Sequence, residues 1–430
     1  MKTHQDVYII GANHEAINAG ILLASLGKTV YFLSAKNAID ETLVHYHFDH
    51  QINALWSLYV EQNKIHLCSK NNRDDVLAFY QQSYGGLIWL FVDDMTTDDI
   101  ELFIKTQDNP HTQIIISGID AIGKIQQIAD GLTSKWVYYL PFIFMKDGAN
   151  FSSFYHSDLV LVGEKTPNST NHCEIVLFIK SQAKKCQINT IKTIEFARAS
   201  IMAMLATRVS FMNEMARLAD KENVNIKDIE TIMGADGRIG SAYLGAGWGF
   251  GGKTLPSELN LLKQQFDTQT VKSGVLSAVM DVNEDQKELI FRKFWRYFNG
   301  FIENKTVMIW GAGYRIGAGL TTNSAIHPLL KLLWSYQIKT VVYANHTTIE
   351  LKNGYQNEPL FELTDNPYDG LKNADGLFVL NWSALTPPDI NKLNEYNVPI
   401  FDAKNIIDDK DVLRLTSDYM GIGRSNSNKS

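Results

Sequence analysis

Apolar positions along the chain change period twice. As far as about residue 185, short β-branched and aromatic runs alternate with helical segments. The first run, residues 7–10, leads into Gly11-Ala12-Asn13, and Ala16, Ala19, Ile21, Leu22 and Leu26 then recur as on a helix with a buried face. Gly27 stops that helix and residues 28–33 read as the next strand, so the opening is a βαβ unit whose strands should be parallel and whose connection should be right-handed. Residues 87–92, 113–117, 136–140 and 159–162 are further buried-strand candidates, which predicts a doubly wound α/β domain. From about residue 190, Ile194, Ala197, Ile201, Leu205, Val209, Met212 and Met215 follow one another at spacings of three and four, the mark of one long helix. Helical patterning resumes over 257–298 after a glycine-rich loop. The strand-and-glycine pattern then returns at 307–310, with Gly311-Ala312-Gly313, a helix through Leu329, Leu330, Leu332 and Leu333, and a strand at 339–343.

The fold class expected is therefore α/β: two Rossmann-like doubly wound domains, residues 1–189 and 301–424, joined by an all-helical block over 190–300. A polar tail, 425–430, is expected to be disordered. A length of 430 residues suits two or three domains. With 40 basic and 47 acidic residues the net charge is −7, which offers no basic stripe for nucleic acid. Cys68, Cys173 and Cys186 are too few and too scattered for a disulfide framework or a thiolate zinc site. No apolar run reaches the roughly 20 residues of a membrane helix, so a soluble protein of the reducing cytoplasm is expected.

The first glycine turn carries candidate chemistry. A glycine closing the first strand lets the chain turn tightly, and the following helix start presents amides to a pyrophosphate. Gly11 fits that place, Asn13 suits a positive-φ second position, and Ala16 suits the third, whereas Glu15 adds a negative charge. The second strand ends in Ser34-Ala35-Lys36 rather than in an acid that would accept hydrogen bonds from an adenosine ribose. Ser34 and Lys36 would instead suit a ribose 2′-phosphate. The pocket reads as a site for NAD or NADP, for another ligand, or as a turn that binds nothing.

The helical block is more specific. Phe211-Met212-Asn213-Glu214, then Gly234-x-Asp236-x-Arg238-Ile239-Gly240, then Gly247-x-Gly249-Phe250-Gly251-Gly252 with Pro256 beyond, resembles the UDP-glucose/GDP-mannose dehydrogenase family. The resemblance implies a dinucleotide domain, a helical dimerisation block and a carboxy-terminal domain that helps bind a nucleotide sugar. It also implies oxidation of a sugar primary alcohol to a carboxylate by two hydride transfers, the second through a thiolate adduct. Thr254 stands where the family has its cysteine, Arg198 and Met202 where it has a lysine and an asparagine, Gly118 where it has a threonine, and Phe142 where it has a glutamate. Glu258 replaces the aspartate after the cysteine, Ser257 the preceding lysine, and Val92-Asp93-Asp94-Met95 the family's V-P-T-P. Thr254, Arg198 and Glu258 are thus the substituted catalytic positions, and Arg238, Tyr243, Gly247, Phe250 and Gly251 the candidates for holding a nucleotide sugar.

Two other features invite chemistry. The stretch from His45 to His50 spells H-x-H-x-D-H, but it follows the second Rossmann strand and reads as a solvated, aromatic-rich loop rather than a zinc site. Asp93, Asp94, Asp98 and Asp99 read as a solvated helix start. Three functions stay open: a silenced dehydrogenase relative in polysaccharide precursor synthesis, an oxidoreductase making one hydride transfer, and a homodimeric or heterodimeric partner of an active relative.

Overall fold

The computed structural model describes residues 6–47, 49–143, 151–382 and 386–425. The chain gathers into two compact units, residues 1–201 and 202–430. The helix Ile191–Glu222 contributes to both.

The first unit is built on an eight-stranded sheet: β1 (Asp6–Ile10), β2 (Thr29–Ser34), β3 (Ile65–Ser69), β4 (Leu87–Phe91), β5 (Gln113–Ser117), β6 (Val137–Tyr139), β7 (Val160–Glu164) and β8 (Cys186–Thr190), in the order β3-β2-β1-β4-β5-β6-β7-β8. The first six strands are parallel; β7 runs antiparallel to β6, and β8 runs parallel to β7. Helices cover both faces, so the central strands are buried throughout. Val7 and Ile9 of β1 enter one core with Trp89 and Phe91, while Tyr8 and Ile10 enter the other with Ile88 and Leu90. The helix His14–Ser25 crosses back over β2, where Gly20 lies flat against the ring of Phe32.

The second unit contains β9 (Thr306–Trp310), β10 (Lys339–Tyr343), β11 (Phe361–Thr364), β12 (Gly376–Val379), β13 (Ile400–Asp402), β14 (Tyr419–Gly421) and β15 (Arg424–Ser425), ordered β11-β10-β9-β12-β13-β14-β15. All pairs are parallel except β14 with β15. Both sheets have the 3-2-1-4-5 core of a Rossmann fold, which puts a crevice at the carboxyl ends of the strands where the order reverses, between β1 and β4 and between β9 and β12. Ser425, counted with the expected tail, instead pairs with Met420; 426–430 lie outside the described residues.

The central block after 202 shares one apolar core with this sheet: Met212, Ala216 and Phe294 of its helices and Leu244 and Trp248 of its loop pack with Val307, Ile309 and Phe378. Three helices run from Thr254 to Thr268, Gly274 to Gln286 and Leu289 to Tyr297, the first beginning ahead of the stretch expected from 257. A further helix, Ile226–Ala235, and the strands β3 and β8 add to the pattern read from sequence.

Candidate functional site

At the carboxyl end of β1 the chain turns at Gly11 with φ +145, and a Cβ there would lie 2.8 Å from Cβ of Phe91 and 3.0 Å from Oδ2 of Asp94, so only glycine fits. The amides beyond it are already engaged. Ala12 N–H and Asn13 N–H both donate to Oδ2 of Asp94, at 2.7 and 2.9 Å. Asn13, expected at a positive φ, instead has φ −71 and is the N-cap of the helix, its Oδ1 accepting from Ala16 N–H at 2.9 Å. Ala16 is fully buried.

Asp94 belongs to a short 3-10 turn, Val92–Asp94, that follows β4. Its neighbour Asp93 accepts from Ile119 N–H at 2.8 Å, past the end of β5. The acids of this run therefore divide. Asp93 and Asp94 close strand-end turns on either side of β4, which departs from a solvated helix start. Asp99 does serve a helix, forming a capping box with Thr96.

A cavity of about 400 Å³ opens beside the first turn, lined by Gly11, Asn13, Ser34, Glu41, His45, Lys70, Asp94 and Asp99 among others. Ser34 hydroxyl donates to Ala35 O at 3.3 Å. Lys36 is exposed and does not line the cavity; the lysine that does is Lys70, whose ammonium meets Asp99 at 2.6 Å.

His14, the fourth residue of the turn, is buried. Its ring stacks on Tyr46 at 3.8 Å and lies 3.2 Å from Nδ2 of Asn18, and burial pushes its pKa down to about 4. The histidine-rich stretch is likewise structural where it is described: His45 ends the helix Ala38–His45, and Asp49 caps the helix His50–Glu61 through Ile52 N–H; Phe48 lies outside the described residues.

The positions expected from the resemblance to stand for the family's reactive residues fall in different surroundings. Gly118 has φ +117, and a Cβ would meet Cγ2 of Val92 at 2.7 Å, which leaves no room for a threonine. Phe142 is buried among Trp89, Phe91 and Phe154; Phe144 of the same segment lies outside the described residues. Arg198, in the first unit, and Met202, in the second, are buried on the long helix. In the second unit Thr254 is the exposed first residue of the helix Thr254–Thr268, and Glu258 is buried one turn on.

The glycine-rich loop is held by amide side chains. Gly247 N–H donates to Oδ1 of Asn213 at 2.8 Å and Gly247 O accepts from Nε2 of Gln286 at 2.6 Å. Phe250 N–H donates to Oδ1 of Asn283 at 2.7 Å. Gly251 lies so close to Asn323 that a Cβ would be 2.5 Å from its carbonyl oxygen. Arg238 points outward in a bidentate pair with Asp236, at 2.7 and 3.1 Å, and Tyr243 is exposed with φ +60. The arginine that clamps the segment carrying Arg238 is Arg208 on the long helix, donating to the carbonyls of Ile239 and Gly240 at 2.8 and 2.6 Å. A second cavity, about 440 Å³, is lined by Lys227, Glu230, Ala246, Trp382 and Lys404. Burial lowers the Lys404 pKa to about 8. Residue order gives no hint of Lys404 or Arg208, because each acts on a segment far from it in sequence.

Residues 192–285 match the central domain of the UDP-glucose/GDP-mannose dehydrogenase family. UDP-glucose 6-dehydrogenase of Pseudomonas aeruginosa is 28% identical over 299 residues, and that of Rickettsia conorii 25% over 288. The central domain is that of the UDP-glucose/GDP-mannose dehydrogenase family. These alignments cover 65% of this chain and 64% and 65% of the two relatives. Across the whole family fold, a UDP-glucose dehydrogenase structure from Pyrobaculum islandicum superposes with a TM-score of 0.80 at 15% identity, covering 98% of each chain. The UDP-D-ManNAc dehydrogenase structure from Pyrococcus horikoshii gives 0.74 at 16% identity, covering 97% of this chain and 99% of the other. Among the described residues, no helix is long and apolar enough to cross a membrane.

His14 makes this site sensitive to acid. The unfolded chain takes up a proton on this ring near the ordinary value of 6.5, the folded chain only near 4, so protonation favours unfolding. Stability should be complete above pH 6.5 and fall by up to about 3 kcal/mol as pH drops toward 4. Urea unfolding of the first unit's signal across that window should show this limb in the wild type and a flatter one in His14→Gln; an equal slope in both would dismiss His14 as its source.

Proposed function

We propose that this member of the family binds a nucleotide sugar in polysaccharide precursor synthesis without carrying a sugar alcohol through to the acid. The observation that carries this reading is Thr254 at the thiol position. Capturing an aldehyde and releasing it as an acyl group needs a nucleophile that ionises near neutrality and leaves readily, which a thiolate does and a threonine hydroxyl does not. The other substituted positions support the same conclusion. Arg198 stays protonated and cannot serve as a base, Met202 has no amide to orient a water, Phe142 is one ring of an aromatic cluster, and Gly118 has no side chain.

Binding has better support in the second unit. Lys227 and Lys404 bring positive charge to the cavity edge, and Trp382 supplies an aromatic face, the pairing that suits a phosphate-bearing nucleotide. With its pKa near 8, Lys404 remains mainly protonated at neutral pH. The candidate loop residues Arg238, Tyr243, Gly247, Phe250 and Gly251 would act as its neighbours, the glycines by setting the backbone and Arg238 only after leaving Asp236. As for partners, Met204, Phe211 and Leu218 are exposed and recur every seven residues along the long helix, a stripe that suits pairing in a homodimer or with an active relative.

The assay incubates the purified chain with NAD or NADP and a panel of UDP- and GDP-sugars. No sustained rise in reduced-nicotinamide absorbance and no uronate are expected, whereas at least one nucleotide sugar should raise the unfolding temperature. Steady turnover to the aldehyde alone would install the single-hydride reading instead. Lys404→Met should weaken the stabilising sugar nucleotide by about 10- to 100-fold in calorimetry, the worth of a charge-assisted hydrogen bond. In sedimentation, Phe211→Glu should shift a dimer toward monomer; an unchanged mass would place any interface elsewhere.

A further inference from the structure

The Rossmann turn of the first unit does not fit the dinucleotide that its fold implies. A pyrophosphate at such a turn is held by the free amides of the helix start. Here three of those amides already donate to side-chain oxygens of the chain itself: Ala12 and Asn13 to Asp94, and Ala16 to Asn13. We propose that Asp94 is a specificity-determining residue that excludes NAD and NADP from this turn, its carboxylate occupying the place of the phosphate.

Four observations bear on it. The carboxylate is positioned by two hydrogen bonds of 2.7 and 2.9 Å, and its Oδ2 would lie 3.0 Å from a Cβ at Gly11, so the acid reaches into the turn rather than standing beside it. The charge is wrong for a second anion: a pyrophosphate brought to these amides would meet Asp94 at contact distance, with Glu15 in the helix's first turn and Glu41 and Asp99 on the cavity wall. The cation on that wall, Lys70, is paired with Asp99 at 2.6 Å. Finally, β2 ends in Ser34 with Ala35 beyond it, so the strand end itself supplies no carboxylate to accept from an adenosine ribose. The position of Asp94 is not a chance of one loose loop, because the 3-10 turn that carries it is also tied by Asp93 to Ile119 N–H. Nothing here depends on the nucleotide-sugar reading, since the turn and its acid lie wholly in the first unit.

The test titrates the full chain with NADH by fluorescence and with NAD and NADP by calorimetry, with no sugar nucleotide present. Wild type should show no saturation up to about 1 mM, and Asp94→Ala should bind at least about tenfold more tightly, because the amides are freed and one negative charge is removed. Asp94→Asn keeps the acceptor and loses the charge, so it should fall between the two and serves if Asp94→Ala fails to fold. Circular dichroism and thermal unfolding establish that each variant is native. Saturable binding by wild type in the micromolar range would overturn the proposal without any variant. Folded Asp94→Ala and Asp94→Asn that bind no better than wild type would overturn it too, by showing that the exclusion lies elsewhere. Neither result touches the sugar-nucleotide titration, which reads Lys404 and the second unit.

Discussion

The carboxylate of Asp94 resting on the amides of Ala12 and Asn13 is the contact on which the first unit's functional surface turns. In a doubly wound sheet the chains leaving β1 and β4 depart toward opposite faces, and the crevice between them exposes backbone donors that need acceptors. A ligand phosphate is one way to satisfy them; a side chain from the neighbouring strand exit is another. Here the run after β4 supplies two acids and uses both, Asp94 toward β1 and Asp93 toward β5. The same amides cannot also serve an incoming anion, so what completes the fold at this point also decides what can bind there.

The second sheet solves the equivalent problem with an amide. Asn381, just past β12, donates through Nδ2 to the carbonyls of Gly313 and Arg315 at 3.2 and 2.5 Å, and its backbone lies so near Gly311 that a Cβ there would be 2.4 Å from its carbonyl oxygen. The polarity is reversed: in the first unit an acceptor meets N–H groups, in the second a donor meets carbonyls. Both turns keep their glycines for close approach of a neighbouring chain, and in neither does the glycine pattern by itself mean an open phosphate cradle.

A related point holds for residues that the family resemblance singles out. Phe142 and Gly118 are each held by their neighbours. The first is part of a ring cluster with Trp89, Phe91 and Phe154, and the second has a backbone angle and a neighbour, Val92, that exclude a side chain. The glycine-rich loop, by contrast, keeps a full set of amide partners in Asn213, Asn283 and Gln286.

Much of this architecture is legible along the chain. Strands 113–117 and 339–343 and the long helix follow from local apolar periods, since a centrally buried strand or an amphipathic helix needs a particular spacing whatever it packs against. The edge strands β3 and β8 carry no such signal, Ile65-His66-Leu67-Cys68-Ser69 being half exposed, and the helix Ile226–Ala235, at 10 residues, is too short for Ile226, Ile229 and Met233 to stand out as a period. Family membership, too, is written in the order of motifs through the helical block. What residue order left undecided is the state of each turn. Asp94 lies 82 residues from Ala12, and Arg208 reaches Ile239 and Gly240 more than thirty residues away. A period reports which face of an element is buried; only the folded chain brings a distant carboxylate or guanidinium within hydrogen-bonding range of a particular amide or carbonyl, and that proximity determines whether a familiar motif is open or closed.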